Sequence, residues 1–402
     1  MISVAEAIRI VEAQTAILSS ESVALADACH RFLAEDVIAD SDLPPFDRSQ
    51  MDGYAVRAAD TENAPVRLQI VGEAAAGDGW HQEMKAGEAV RIMTGAPVPA
   101  GADSVQQVEL TRDLSPELVE IQRAVQPGRS IVTRGSEVKQ GATVLKAGEQ
   151  INPAVLATLA SFGYAHVKVG RRPRVAVLAT GSELVAVDKQ PGRDQIRDSN
   201  NYSIASYAEL AGAQVERLPL AGDDVALLKR QVSAAAKRSD VVVTSGGVSM
   251  GVYDFTKAAL QDLKCEIFFE RVALRPGKPT VFARLPNGTL VFGLPGNPVS
   301  VSVTFNLFAR AAILRLQGAK QPRLIEQYAV LAQDVKGAEE RESYLPASLR
   351  TDTAGQLIVE PLKWGGSSDF VAFTQATALL IVAAGVQKQA AGSIVKVVSL
   401  PR

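Results

Sequence analysis

The sequence predicts a multidomain protein of the α/β plus β class. Three observations carry this. Residues 172–318 alternate strand and helix patterns, which requires a mostly parallel sheet covered on both faces. Residues 51–137 and 323–402 read instead as short strands separated by turn signals. At 402 residues the chain exceeds one ordinary hydrophobic core.

Taken in order, residues 4–17 carry Ala5, Ile8, Ile10, Val11 and Ile17 on an imperfect helical stripe. A second short helix is expected over 25–36, and the pair Pro44-Pro45 then breaks regular structure. Strands are expected at 66–72, 89–93 and 104–110. Helix returns over 151–162, with Asn152 as N-cap and Pro153 in the first turn. The β module is therefore read as an insertion into an N-terminal helical region: 1–49 with 140–171 around 50–139, followed by 172–318 and 319–402. Within 172–318, strands are expected at 175–179, 214–218, 241–244, 267–269, 280–282 and 290–292. Helices are expected at 201–211, 224–237, 254–263 and 298–317. The last begins at Asn297-Pro298 and stops at Gly318. Tail strands are expected at 328–331, 357–359, 378–382 and 393–398.

Hydrophobic content of 47%, charged content of 21% and a net charge of −2 describe an ordinary globular protein and argue against broad nucleic-acid binding. Cys29 and Cys265 form no CxxC pair, which suits a reducing cytoplasm. His30, His81 and His166 are scattered and read as surface or core residues. The amphipathic N-terminus is not a signal peptide, and the longest apolar run, 376–386, is about half a membrane span. A cytoplasmic protein with no membrane partner is expected.

In an open α/β sheet, ligands bind at the carboxyl ends of the strands. Four motifs fall there: Thr180-Gly181-Ser182-Glu183, Gly222-Asp223-Asp224, the stretch 241–255, and Gly293-Leu294-Pro295-Gly296-Asn297-Pro298. The stretch 241–255 joins three valines to Thr244-Ser245-Gly246-Gly247 and ends at Asp254-Phe255. It is either a connector or an anion cradle, since glycines let backbone N–H groups approach a ligand beside a helix start. Glu183, Asp223 and Asp254 suit Mg²⁺ beside a phosphate. Either Asp223 or Asp224 could instead cap the next helix, and Glu183 could be a solvated loop residue. Arg271 and Arg275-Pro276-Gly277-Lys278-Pro279 offer an oxyanion fixed positive charge, or are a solvated turn. No P-loop, dinucleotide fingerprint or nucleophilic triad is present.

Further motifs are Met51-Asp52-Gly53-Tyr54-Ala55, Met93-Thr94-Gly95-Ala96-Pro97, Ile196-Arg197-Asp198-Ser199-Asn200 and Gly365-Gly366-Ser367-Ser368-Asp369. Together with Ser245-Gly246-Gly247-Val248-Ser249, the RPGKP turn and the GLPGNP turn, the chain resembles the MoeA family of molybdopterin molybdenumtransferases, related to the C-terminal region of gephyrin. The resemblance spans nearly the whole chain. It implies a MogA-like three-layer α/β domain, a β-barrel-like C-terminal domain and an elongated homodimer. It implies transfer of molybdate-derived metal to adenylylated molybdopterin, with Mg²⁺-dependent release of AMP. By motif, Asp52 and Thr94 would reach the site across the dimer. Glu183, Asp223 and Asp254 would serve Mg²⁺ and substrate, and Arg271, Arg275 and Lys278 would hold the anion. Thr180, Gly181, Ser245, Gly246, Gly247, Ser249, Pro295, Gly296, Asn297, Pro298 and Ser368 would line the cofactor site.

The chain departs from the family pattern in places. Ser182 replaces a usual acid, Arg271 and Arg275 stand where lysine is frequent, and Gly135-Ser136-Glu137 replaces Gly-Glu-Asp. These leave room for a paralogue with tungstate preference. A MogA-type adenylyltransferase and a molybdopterin-binding scaffold are the other readings, and other cofactor-biosynthesis proteins are possible partners.

Overall fold

Three consecutive valines form the central strand of a six-stranded sheet. In order, its strands are Gln214–Arg217, Arg174–Ala179, Val241–Ser245, Leu290–Leu294, Pro279–Arg284 and Glu266–Arg271. The first four are mutually parallel, and Pro279–Arg284 alone runs the other way, antiparallel to both of its neighbours. Side chains alternate between faces, as the pleat demands. Val175, Val177, Val241 and Val243 join one core with Ile204, Ala208, Phe305 and Ile313. Ala176, Leu178 and Val242 join a second with Leu228, Val232, Ala259 and Leu260. Helices Asn200–Leu210 and Pro298–Leu316 thus cover one face, and Val225–Ala236 and Phe255–Asp262 the other. This is the three-layer domain with a mostly parallel sheet that the alternation predicts.

The computed structural model describes residues 1–247 and 255–401. They divide into two compact units, one comprising Met1–Glu35, Ala147–Leu156 and the residues from 166 on, the other Asp36–Lys146 and Ala157–Ala165.

In the first unit, helix Val4–Gln14 is capped by Ser3, which accepts the Glu6 N–H at 3.1 Å, and packs Val4, Ala7 and Val11 on the α/β core. It stops before the expected residue 17. The Leu18 N–H turns to the Leu316 carbonyl (2.8 Å), leaving Ile17 63% exposed. The helix expected over 25–36 does not form. Only a 3₁₀ turn, Leu25–Asp27, is present, and His30 adopts a left-handed φ of 66°. The backbone there bonds segments distant in sequence instead: His30 to Ile151 at 2.7 Å, Leu33 to Glu149 at 3.0 Å and Ala34 to Lys168, in strand His166–Gly170, at 3.0 Å. Tertiary pairing has overridden local helical pattern.

Helix Pro298–Leu316 is, among the described residues, the one helix long and apolar enough to cross a membrane, but 89% of it is buried. Covering the sheet explains its composition. A single π turn, Phe305–Ala309, interrupts it.

The tail closes into a five-stranded barrel: Glu342–Thr351, Leu357–Pro361, Glu326–Leu331, Ile394–Ser399 and Ala378–Val382, which returns to Glu342–Thr351. Alternate residues Ala329, Leu331, Leu345, Ala347, Leu380, Val382, Val395 and Val397 fill it. The ten-residue strand Glu342–Thr351 was not anticipated. It contains Pro346, which weakens any strand signal. Neighbours on both sides supply its pairing. Leu274–Arg275 adds to its start, so the RPGKP turn is anchored to the barrel.

The second unit holds a six-stranded mixed sheet in the order Ser104–Gln107, Gly53–Val56, Glu88–Ile92, Val66–Ala74, Leu118–Ile121, Thr111–Ser115. Tyr54, Ala89, Val119 and Ile121 pack on one face, and Ala55, Val90, Ile92 and Val105 on the other.

Candidate anion-binding site

The carboxyl ends of three neighbouring parallel strands are stitched together. The Thr180 N–H donates to the Ser245 carbonyl at 2.8 Å and the Gly246 N–H to the Leu294 carbonyl at 3.2 Å. Gly246 has φ 86°, and a Cβ on it would come within 2.2 Å of the Thr180 carbonyl oxygen. Gly247 has φ 64°. Only glycine allows both the backbone conformation and the close approach. Ser245 is 1% exposed, and its Oγ has no hydrogen-bond partner among the described residues. Gly296 lies over Gly246, and its carbonyl accepts from Asn200 Nδ2 at 2.6 Å.

The two adjacent aspartates divide their work. Asp224 caps helix Val225–Ala236, accepting the Ala226 and Leu227 N–H groups at 2.8 and 3.1 Å. Asp223 instead accepts from Ser182, from Oγ at 2.8 Å and from N–H at 3.2 Å. Serine at 182 therefore orients a carboxylate rather than supplying one. The Glu183 carboxylate folds against Gly181, where a Cβ would lie 2.5 Å from Oε2. Asp198 is 4% exposed, and burial pushes its carboxyl up, against the Asn201 N–H bond (3.0 Å) that lowers it. Ser249 and Asp254 lie outside the described residues. Among the described residues, no three Asp, Glu, His or Cys side chains gather as a metal site.

Next to this cluster a cleft of about 880 Å³ opens between the α/β sheet and the barrel. Pro295, Asn297 and the turn 275–279 form one wall, and barrel loops bearing Lys336, Arg341, Lys363 and Trp364 form the other. Five cations line it: Arg275, Lys278, Lys336, Arg341 and Lys363. Among the described residues none has a carboxylate within 4 Å, although Arg275 donates to the Gly337 carbonyl at 2.9 Å. The one lining acid, Asp334, is already held by Lys388 at 2.5 Å and by the Ala391 N–H. Those bonds keep it below the usual carboxylate range. The cleft is thus strongly electropositive, as anion capture requires.

The expected single crevice is resolved into two adjoining parts. Thr180, Gly181, Glu183, Asp223, Ser245, Gly246, Gly247 and Gly296 form the strand-end cluster. Arg275, Lys278, Pro295 and Asn297 belong to the cleft. Arg271 lies on the edge strand and does not line the cleft. Asn297 occupies the N-cap position without capping, because its Nδ2 donates to Ser367 Oγ at 2.8 Å. Ser367, not Ser368, touches the helix start, and its carbonyl also accepts the Val299 N–H at 3.0 Å. Pro298 starts the helix beside it. In the second unit, Asp52 Oδ1 accepts the Thr94 N–H at 2.7 Å and its hydroxyl at 2.8 Å. These bonds hold the Asp52 carboxyl low. Sequence reading singled out the turn 365–369 but assigned Ser368 rather than Ser367, and it missed Lys336, Arg341 and Lys363. The three cations are scattered in a tail without a motif, and only barrel closure brings them together.

Fold and site define a three-layer α/β protein with an electropositive cleft, extended by β domains. The chain matches the family models for the MoeA N-terminal region (domain I and II) over residues 2–163, a probable molybdopterin binding domain over 176–315, and the MoeA C-terminal region (domain IV) over 328–400. It is 37% identical over 385 residues to a molybdopterin molybdenumtransferase of Bacillus subtilis, covering 94% of this chain and 89% of that one. It is 35% identical over 403 residues to one from Staphylococcus aureus, covering 99% and 95%. A crystal structure of a molybdopterin biosynthesis MoeA protein from Pyrococcus horikoshii OT3 superposes with a TM-score of 0.86 at 26% identity, covering 100% of both chains. A second, from the same genus, gives 0.81 at 31%, covering 99% of both. The chain belongs to the MoeA family of molybdopterin molybdenumtransferases, transferases of molybdenum cofactor biosynthesis.

Proposed function

We propose that this chain transfers molybdate-derived molybdenum to adenylylated molybdopterin and releases AMP in an Mg²⁺-dependent step. The observation that carries the reading is the cleft, where five cations without carboxylate partners among the described residues face the start of a 19-residue helix. A phosphorylated pterin and a metal oxyanion are both anionic, and fixed cations neutralise charge as AMP leaves. Lys278, Arg275 and the barrel cations bind and orient these groups. Asp223, oriented by Ser182, and Glu183 offer hard oxygen donors. Mg²⁺ is commonly held by one or two carboxylates plus substrate phosphate, so the donor set fits it. Bound there, Mg²⁺ would offset charge on the phosphoanhydride. Asp254 is assigned as a further acid of this set.

In the same reading the chain has four domains, divided at 1–49 with 140–171, 50–139, 172–318 and 319–402. It acts as a cytoplasmic homodimer, and Asp52 and Thr94 serve the partner's site. The paired geometry of Asp52 and Thr94 supports a shared role.

The test is incubation with adenylylated molybdopterin, Mg²⁺ and molybdate, following AMP and metal-bound cofactor. AMP release that needs both metal species supports the reading. Retention of intact adenylylated cofactor by folded protein would falsify it and favour a binding scaffold. A parallel arm with tungstate reads metal preference. Asp254→Ala should abolish AMP release without unfolding the chain.

A further inference from the structure

A second cationic cavity lies apart from the cleft and shares no lining residue with it. Its volume is about 420 Å³. Arg310, from the second half of the long helix, forms one wall, and Lys320 lines it just beyond that helix's end. Phe32, Leu314 and Gln321 complete the surroundings used here.

Arg310 is in an unusual state for an arginine. Its one hydrogen bond among the described residues runs from Nη1 to the Pro322 carbonyl at 3.1 Å. No carboxylate stands within ion-pair distance among those residues, which leaves four of the five N–H groups of its fork unengaged. Burial pulls its pKa below the ordinary value, with no acid opposing that shift. Guanidinium does not discharge under these conditions. The side chain is half-buried, and a guanidinium partly withdrawn from water along a cavity wall with no acid paired to it favours an anion there. Lys320 is exposed and has no ion pair among the described residues. Glu149 also lines the cavity, but it pairs with neither cation. The Gln150 and Gln321 amides offer neutral donors.

We propose that Arg310 and Lys320 hold a tetrahedral oxyanion in this cavity, a dianion of the size and charge of phosphate or molybdate. Arg310 would use its planar fork on two oxygens, and Lys320 would supply a point charge at the mouth.

The full-length protein is tested by equilibrium dialysis with labelled inorganic phosphate. Wild type should bind one more phosphate per chain than Arg310→Gln. Lys278→Gln, which alters the separate cleft, should retain this site. Lys320→Gln changes an exposed side chain and should weaken the site roughly tenfold, as loss of one charge-assisted contact implies. Arg310→Lys keeps the charge and should fall between wild type and Arg310→Gln, so a poorly folded glutamine variant does not decide the matter. Competition then identifies the source. Displacement by equimolar molybdate assigns the site to the metal oxyanion, and retention assigns it to phosphate. Equal stoichiometry in wild type and the Arg310 variants, or affinity unchanged in Lys320→Gln, overturns the proposal. So does no phosphate bound by wild type at about 10 mM, where a site with a Kd of about 1 mM would be nearly full.

Discussion

The two ends of the parallel sheet solve opposite problems. At the amino end, Asp240 is 13% exposed at the side chain, and every strong contact is met. Arg171 grips it with two bonds of 3.0 and 2.9 Å, and the Arg174 N–H adds a third at 2.7 Å. Burial alone would raise its pKa, but these partners hold it below the ordinary 3.8. At the carboxyl end, among the described residues, the Ser245 hydroxyl is buried without a partner and none of the five cleft cations has a carboxylate within 4 Å. One end is closed by charge pairing and contributes stability. The other leaves polar groups unpaired among the described residues. A buried polar group left unpaired costs folding free energy, so this contrast is a structural sign of ligand binding.

The comparison can be broken by substitutions at either end. The largest expected effect is Lys278→Ala, lowering AMP release roughly 10²-fold, as removal of a transition-state charge contact does. Its stability should stay within about 0.5 kcal/mol of wild type. A large loss of stability with unchanged turnover would place Lys278 in the scaffold instead. Next is Asp240→Ala, expected to destabilise by about 2 kcal/mol, because it strips a charged hydrogen-bond partner from Arg171. Urea unfolding reads this, and AMP release per folded molecule should be unchanged.

The pH dependence follows from the same carboxylate. Its folded pKa is depressed, so its contribution is intact above the ordinary 3.8 and is lost as pH falls through the lower folded value. As pH falls below about 4, wild type should therefore lose stability more steeply than Asp240→Asn. Equal slopes would show that Asp240 is not held low. The smallest effect on folding is expected for Ser245→Ala. Deleting an unsatisfied hydroxyl should leave stability equal or raise it by about 1 kcal/mol, while AMP release falls if the hydroxyl meets substrate. Destabilisation would mean that the hydroxyl already has a structural partner.

Much of the α/β region was legible, because its signals are local and repeated. Val241-Val242-Val243 reads as a strand covered on both faces, and Asn297-Pro298 marks where the long helix begins. The segment 25–36 misled because its residues favour helix locally while segments remote in sequence claim its backbone. Glu342–Thr351 was invisible for the converse reason: Pro346 and the serines spoil a strand pattern that barrel closure nevertheless enforces.

The site divides in the same way. Glycines at 246 and 247 and the acids at 183 and 223 belong to short motifs, whose backbone needs are written into residue type. Sequence alone therefore determined the class of domain and the turns at its strand ends. It could not say that Asp224 caps while Asp223 turns to Ser182, since adjacent residues of one type differ only in direction. Nor could it unite Arg275 with Lys336, Arg341 and Lys363 across the cleft. Electrostatic neighbourhood depends on distance in space, and only packing of the barrel beside the sheet decided which charges stand together.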